Sequence, residues 1–292
     1  MSHLLAIGLG YSARVLAARL AARGWRVRGS SRTVGGVRAL RALGFDAFVF
    51  DATGPIGDGD GIVGAATHLL VSAPPETTGD PVLGTLGEAL AQAPALTWIG
   101  YLSTVGVYGD HGGGWVDETT PAMPTSDRGR ARLAAENHWL DFGAKTGRRV
   151  HVFRLPGIYG PGRSAIDKLR DGTARRVAKP GQVFNRIHVD DIARVLEAAF
   201  DSASPERVFN VVDDEPGPPG DVVAFAAGLL GIEPPPEVAF DAAAASPMAR
   251  SFYGENKRVA NARIKSELGV RLAHPTYREG LRAILAGEAG AA

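Results

Sequence analysis

Leu4-Leu5-Ala6-Ile7-Gly8-Leu9-Gly10-Tyr11-Ser12-Ala13 begins as a short apolar run, turns on two glycines and enters a helical pattern. The apolar run reads as a buried strand, and residues 11–22 read as the helix that follows it. Gly8 permits the tight turn between them, and Gly10 lets backbone approach a pyrophosphate. Small Ala13 at the third position lets the helix pack on the strand. A bound phosphate then meets the unpaired N–H groups at the helix N-terminus. An ordinary strand–helix turn can carry the same residues, so the pattern downstream has to separate the two.

That pattern repeats. Residues 26–28, 45–50, 68–71, 98–102 and 150–153 are short, apolar and bounded by Gly, Pro, Asp or Ser, as buried strands are. Helical patterns lie between them at 36–43, 81–92 and about 126–145, and a helix over about 190–200 precedes a seventh strand at 208–212. Such alternation predicts right-handed crossovers and an α/β fold, a doubly wound parallel (Rossmann-type) sheet with helices on both faces. After Asp213 the composition shifts to Pro216-Gly217-Pro218-Pro219-Gly220 and Pro234-Pro235-Pro236, with no further convincing strand. The expected organisation is a nucleotide-binding domain over 1–159 and 182–213. A small, mostly helical substrate lobe takes 160–181 and 214–292. The Ala/Gly-rich tail from Ala286 is expected to fray.

The chain's 292 residues suffice for a sizeable core without staples, and the absence of cysteine excludes disulfides, thiolate metal sites and a cysteine nucleophile. Thirty-two basic and 31 acidic residues sum to +1, so no global field favours nucleic acid or membrane. The apolar runs are too short to span a bilayer. The start lacks the features of a secretory signal, so a cytoplasmic location is expected. Thirty-eight glycines, with no collagen-like period, must sit at particular turns.

The end of the second strand bears on which dinucleotide fits the turn. An acidic residue there would accept from the ribose hydroxyls of NAD. The chain instead reads Arg28-Gly29-Ser30-Ser31-Arg32-Thr33, with no carboxylate before Asp46 and eight arginines in the first 45 residues. Arg32, with Ser31 beside it, is placed to clamp a 2′-phosphate, so NADP is expected over NAD. The plainer reading of Arg32 is a solvated loop arginine, and Arg14, Arg19, Arg23 and Arg38 are expected to face water.

Further motifs follow in order: Asp51 after the third strand, Val71-Ser72-Ala73-Pro74 after the fourth, and Ser103-Thr104-Val105-Gly106-Val107-Tyr108-Gly109 after the fifth. Then come Arg154-Leu155-Pro156-Gly157-Ile158-Tyr159-Gly160-Pro161-Gly162, Ile187-His188-Val189-Asp190-Asp191-Ile192-Ala193 and Glu267-Leu268-Gly269-Val270. With these the chain resembles an extended short-chain dehydrogenase/reductase of the NAD-dependent epimerase/dehydratase type, and more narrowly its atypical members. The resemblance implies that Gly8, Gly10, Tyr11 and Ser12 line the pyrophosphate. It puts Asp51 at the adenine, and Ser72 and Ala73 at the adenosine ribose. Thr104 becomes the catalytic hydroxyl, preceded by Ser103, and Leu155 and Pro156 border the nicotinamide.

The resemblance breaks where that family's chemistry needs Tyr-x-x-x-Lys, whose tyrosine shuttles a proton. The helix after the fifth strand reads Ser126-Asp127-Arg128-Gly129-Arg130-Ala131-Arg132, which puts Arg128 and Arg132 at the two positions. Arginine keeps its proton at any useful pH, so it cannot replace the phenol. Tyr253-Gly254-Glu255-Asn256-Lys257 matches the spacing by chance, as a packed tyrosine with a surface lysine. Phe184 stands where nucleotide-sugar members place a phosphate-binding arginine, which argues against a nucleotide-diphosphate sugar. In the glycine-rich loop 110–115, Asp110 or His111 would supply a proton while Thr104 and Arg128 orient an anionic small-molecule substrate; an exposed loop of solvated charges is the alternative. His188, Asp190 and Asp191 read as structural, with no metal, because adjacent carboxylates on a helix cannot easily face one ion. Trp115, Trp139, Phe252 and Tyr253 read as packing residues, Trp115 alternatively as a roof over the cleft. The expected function is an NADP(H)-dependent oxidoreductase or epimerase/dehydratase-like enzyme with non-standard proton transfer. The alternatives are a non-catalytic redox sensor or a structural interaction protein with a vestigial cleft. A homodimer through the long helix at 126–145 is a further expectation.

Overall fold

A computed structural model describes residues 2–52, 59–203, 206–240 and 253–289. In chain order β1 (His3–Ile7), α1 (Tyr11–Ala22), β2 (Arg26–Ser31), α2 (Val34–Ala42), β3 (Asp46–Val49) and α3 (Gly59–Val63) come first. Next are β4 (His68–Val71), α4 (Pro81–Gln92), β5 (Trp98–Thr104), β6 (Trp115–Val116), α5 (Asp127–Thr146), β7 (Arg149–Leu155) and β8 (Gly157–Tyr159). They are followed by α6 (Ala165–Arg170), β9 (Arg176–Ala178), β10 (Arg186–His188), α7 (Val189–Phe200) and β11 (Glu206–Asn210). The chain ends with α8 (Pro219–Leu230), β12 (Glu237–Ala239), β13 (Arg258–Val259), α9 (Ala262–Ser266) and α10 (Tyr277–Ala289).

Two compact units divide the chain: Met1–Thr104, Asp127–Arg154 and Ile192–Phe209 form one, and Val105–Ser126, Leu155–Asp191 and Asn210–Ala292 the other. Composition drew its boundaries at 160, 182 and 214. In the structure, residues 105–126 belong to the second unit, where β6 pairs in parallel with β13.

The first unit is a seven-stranded sheet in the order β11-β7-β5-β4-β1-β2-β3. β1 sits between β2 and β4 and runs parallel to both. The strand order reverses there, and the carboxyl ends of strands at such a switch point are where open α/β sheets bind ligands. α1 and α4 occupy the predicted residues because their ends are chemically marked. α1 begins at the glycine turn. α4 has Pro81 at its first turn, and the Asp80 carboxylate accepts from the amides of Val82 (2.9 Å) and Leu83 (3.1 Å). On one face of the sheet, Leu5, Ile7, Leu69, Val71, Ile99 and Val152 pack with Leu86 and Leu90 of α4 and Trp139 of α5. Each such side chain, fully buried, contributes about 1.5–3 kcal/mol.

The second unit pairs short strands two by two, β6 with β13, β8 with β10 and β9 with β12, all parallel. Its helices α6, α8 and α10 enclose Tyr159, Ile166, Ala226, Tyr277, Leu281 and Ile284. The expectation of no strand after Asp213 is corrected by β12 and β13, whose three and two residues are too short to show an alternation. α10 continues through Ala289, past the expected onset of fraying at Ala286. Trp139 is fully buried, as expected, whereas Trp115 is 63% exposed and is not a packing residue, its two-residue strand leaving the indole uncovered. Tyr253 lies against the rings of Phe184 (5.1 Å) and Phe240 (5.0 Å), and Phe252 lies outside the described residues. Arg19 is corrected from a water-facing residue to the partner of Glu197 on α7, with bonds of 2.7 and 3.1 Å. No helix among the described residues is long and apolar enough to cross a membrane.

In the first unit, His68 is packed against Trp25 (4.8 Å) and Phe200 (4.7 Å), with Nδ1 2.9 Å from the Thr67 hydroxyl. Burial pushes its imidazole pKa down to about 4. Between about pH 4 and 6.5 the unfolded chain therefore takes up a proton that the folded chain refuses, and stability falls as pH drops through that window. The midpoint of thermal unfolding should decline from pH 7 to pH 4.5, and His68→Phe should remove part of that decline. An identical decline in the variant would mean that His68 carries none of it.

Candidate cofactor and catalytic site

The glycine turn is built by contacts that leave no room for a side chain. Gly8 has φ +91°, and a Cβ on it would lie 2.9 Å from the Ala73 amide nitrogen. The amides of Ser72 and Ala73 both donate to the Ile7 carbonyl, at 2.9 and 3.0 Å, which draws the end of β4 against the turn. The Ser30 hydroxyl accepts from the Gly8 amide (2.9 Å), and the Ser30 carbonyl accepts from the Leu9 amide (2.8 Å). Gly8, Ser30, Ser72 and Ala73 thus meet at one carboxyl edge. α1 starts behind the turn with Gly10 as N-cap and no side-chain cap. In a helix the first-turn amides, those of Ser12 and Ala13 among them, have no intrahelical acceptor. This bare helix N-terminus, with a cradle that a Cβ would fill, fits a dinucleotide pyrophosphate.

At the end of β2, Ser31 is half-buried and Arg32 exposed. Among the described residues Arg32 has no hydrogen-bond or ion-pair partner. The Thr33 hydroxyl directly after it caps α2 by accepting from the Gly36 amide (3.1 Å). Asp51 is exposed beyond β3, and Ala52 next to it has φ +64°, the left-handed region.

The end of β5 holds the second cluster. Ser103 is buried, and its hydroxyl donates to Glu136 Oε1 at 2.5 Å. Arg154 donates to the same carboxylate from Nη2 (2.7 Å) and Nε (3.2 Å). Thr104, the next residue, is half-buried. Arg132 Nη1 donates to the Leu102 carbonyl (2.7 Å) and the Tyr101 hydroxyl (3.2 Å), and its guanidinium carbon lies 5.7 Å from the Tyr101 ring centre. Arg128, one turn earlier on α5, is exposed. Burial raises the Tyr101 phenol above its ordinary pKa despite the nearby Arg132 charge. This is the direction opposite to the one a proton shuttle needs.

Four of the expected residues lie in the second unit. Leu155 is buried and Pro156 half-buried. The Asp110 carboxylate accepts from the amides of Asn256 (2.7 Å) and Gly112 (3.2 Å), and the first of these bonds holds it below the usual carboxylate range. His111 Nε2 lies 3.1 Å from the Tyr108 carbonyl, and the His111 amide donates to the Asn256 carbonyl (3.0 Å). Both residues therefore fasten the loop to the segment around Asn256. Lys257 belongs to the same fastening, and the expectation of a surface lysine is corrected. It is buried, donating to the Gly109 carbonyl and to Glu255 at 2.5 Å each.

Sequence reasoning missed Glu136, Tyr101 and Ser30. Glu136 had a readable signal: it lies four residues after Arg132 and three before Trp139, on the face of α5 that must be buried. Tyr101 and Ser30 point to the site only through the pairing of their strands.

Comparison with known proteins agrees with this fold. A sequence model of the NAD dependent epimerase/dehydratase family matches residues 85–211. The chain is 53% identical to a functionally unknown conserved protein from Silicibacter pomeroyi DSS, over 98% of this chain and 99% of that one, with a TM-score of 0.89. It is 29% identical to protein YeeZ of Escherichia coli (strain K12), over 94% of this chain and 97% of that protein. MoeE5, solved with UDP-glucuronic acid and NAD, shares the fold at 21% identity and a TM-score of 0.78, with both chains fully covered.

The buried Glu136–Arg154 pair makes a sharp test of what holds the site together. Removing one partner strands a buried charge, so Glu136→Ala should cost about 3–5 kcal/mol in urea unfolding. The double change Glu136→Leu with Arg154→Met should recover most of that loss. A loss below about 1 kcal/mol for Glu136→Ala, the range of exposed pairs, would show that the pair is not buried in solution.

Proposed function

We propose that the chain, whose residues 85–211 match the NAD dependent epimerase/dehydratase family, is an NADP(H)-dependent oxidoreductase of that family acting on a small anionic substrate without a side-chain phenol as proton relay. The observation that carries the reading is the β1–α1 turn, whose cradle at Gly8 and bare helix N-terminus suit a pyrophosphate. Arg32, exposed and unpartnered among the described residues at the end of β2, favours the 2′-phosphate of NADP over the bare ribose of NAD. When bound, the cofactor supplies or accepts a hydride at its nicotinamide.

The chain's own residues divide the remaining work. Thr104, at the carboxyl end of β5, orients the oxygen of the substrate. Arg128 and Arg132 hold the substrate's negative charge and keep their protons throughout. The proton that accompanies hydride transfer then comes from solvent, and Asp110 is held ionised by its backbone bonds. A redox sensor that binds cofactor without turnover is the second reading. It is favoured by Arg132, whose Nη1 is engaged by the Leu102 carbonyl and the Tyr101 hydroxyl.

Titration with NADPH and NADH tests the cofactor. NADPH should bind at least tenfold more tightly, and Arg32→Ala should weaken NADPH by about 10- to 50-fold while leaving NADH within about twofold. Gly8→Val should abolish binding of both. NADPH oxidation with a panel of keto acids then separates the two readings. Turnover that falls in Arg128→Ala supports the enzyme, and tight binding with no turnover on any substrate supports the sensor. If neither nucleotide binds the wild type, the reading fails.

A further inference from the structure

Histidine 274 lies far from His188 and Asp190 in sequence, and in the second unit the fold sets the three together. One ring nitrogen of each histidine and a carboxylate oxygen of Asp190 lie within 4.8 Å of one another. His188 Nδ1 is 3.6 Å and His274 Nε2 is 3.8 Å from Asp190 Oδ2, and the two imidazole centres are 4.0 Å apart. From this arrangement we infer that His188, His274 and Asp190 form a binding site for a divalent transition-metal ion of the Zn2+ class. The site is independent of the cofactor chemistry proposed above.

The geometry is close to what such an ion requires. A tetrahedral ion with bonds of about 2.0–2.1 Å spaces its ligand atoms by roughly 3.4 Å. The two nitrogen-to-oxygen separations, 3.6 and 3.8 Å, need a few tenths of an ångström of closure, and the nitrogen-to-nitrogen separation lies within 4.8 Å. The tautomer is also suitable. The Asp190 amide donates to His188 Nδ1 at 3.2 Å, which leaves Nδ1 unprotonated, 3.6 Å from the carboxylate, and puts the ring proton on the buried Nε2. Coordination at Nδ1 replaces that long hydrogen bond. His188 is nearly fully buried, so its ring is held in place by packing rather than by solvent.

The surroundings hold the ligands in place. The Asp191 carboxylate accepts from the amides of Ala273 (2.6 Å) and His274 (2.9 Å), which fixes the histidine beside the start of α7. The Tyr159 ring meets that of His188 edge-on at 5.2 Å. Asp190 is about half-exposed, which gives an ion a route in from solvent. Two imidazoles and one carboxylate suit zinc, and they leave a fourth position for water or a further ligand. The adjacency of Asp190 and Asp191 is no obstacle, because only Asp190 belongs to the ligand set while Asp191 positions the backbone of His274.

The test is titration of untagged, chelator-washed protein with ZnCl2 by calorimetry, followed by thermal unfolding with and without Zn2+. One ion per chain should bind in the micromolar range or tighter, and Zn2+ should raise the unfolding midpoint. His274→Ala and Asp190→Asn should each weaken binding at least tenfold and abolish the midpoint shift. Circular dichroism in chelator shows whether each variant is folded. Should His274→Ala fail to fold, the near-isosteric Asp190→Asn decides alone. Absence of wild-type binding, or equal binding by folded variants, would overturn the site.

Discussion

A carboxylate and a guanidinium, Glu136 and Arg154, are buried together between α5 and β7, and the candidate catalytic region is hung on that pair. Neither charge would tolerate burial alone, so the pairing fixes how α5 lies on the sheet. Ser103 joins through its hydroxyl and brings in the end of β5. From Glu136 the same helix face reaches one turn back to Arg132, which meets the Leu102 carbonyl. Three residues forward it reaches Trp139, whose indole N–H donates to Asp80 at the start of α4 (3.1 Å). Helical spacing therefore turns one buried ion pair into a line of polar contacts across two helices and two strands.

That line gives the arginines on α5 their meaning. A phenol and an ammonium in those positions exchange protons, while two guanidiniums carry permanent charge and donate hydrogen bonds without exchanging anything. Arg132 is held by a backbone carbonyl and a tyrosine hydroxyl, so part of its fork is already oriented. Arg128 is exposed. Arg132 therefore brings fixed positive charge to the end of β5.

The sheet was legible in the sequence because β1, β4 and β5 are apolar runs bounded by turn residues, while β2, Arg26-Val27-Arg28-Gly29-Ser30-Ser31, was legible only from its place between two helical patterns. Helices α1 and α4 were legible to the residue because a glycine turn and an Asp-Pro pair mark their starts. The second unit was harder to read. Its strands of two or three residues carry no period, and β6 finds its partner β13 more than a hundred positions later. The glycine turn and Arg32 announced themselves locally. Glu136, Lys257 and His274 depend on long-range partners, since a charged or polar side chain reads as surface until its counterpart is known. Lys257 shows this most plainly: its buried ammonium is balanced by Glu255 and the Gly109 carbonyl.

The interleaving of the two units has a kinetic side. Each is assembled from three separate stretches, and the first is complete only once Ile192–Phe209 has joined it. During synthesis, a polypeptide that has emerged only as far as α5 lacks β7 and β11 and leaves β5 as a sheet edge open on the side away from β4. Domain-by-domain folding, the usual protection of a growing chain, is therefore not open to this topology. Closure must await contacts of large sequence separation, so folding is expected to be slow and the half-made chain to depend on chaperones.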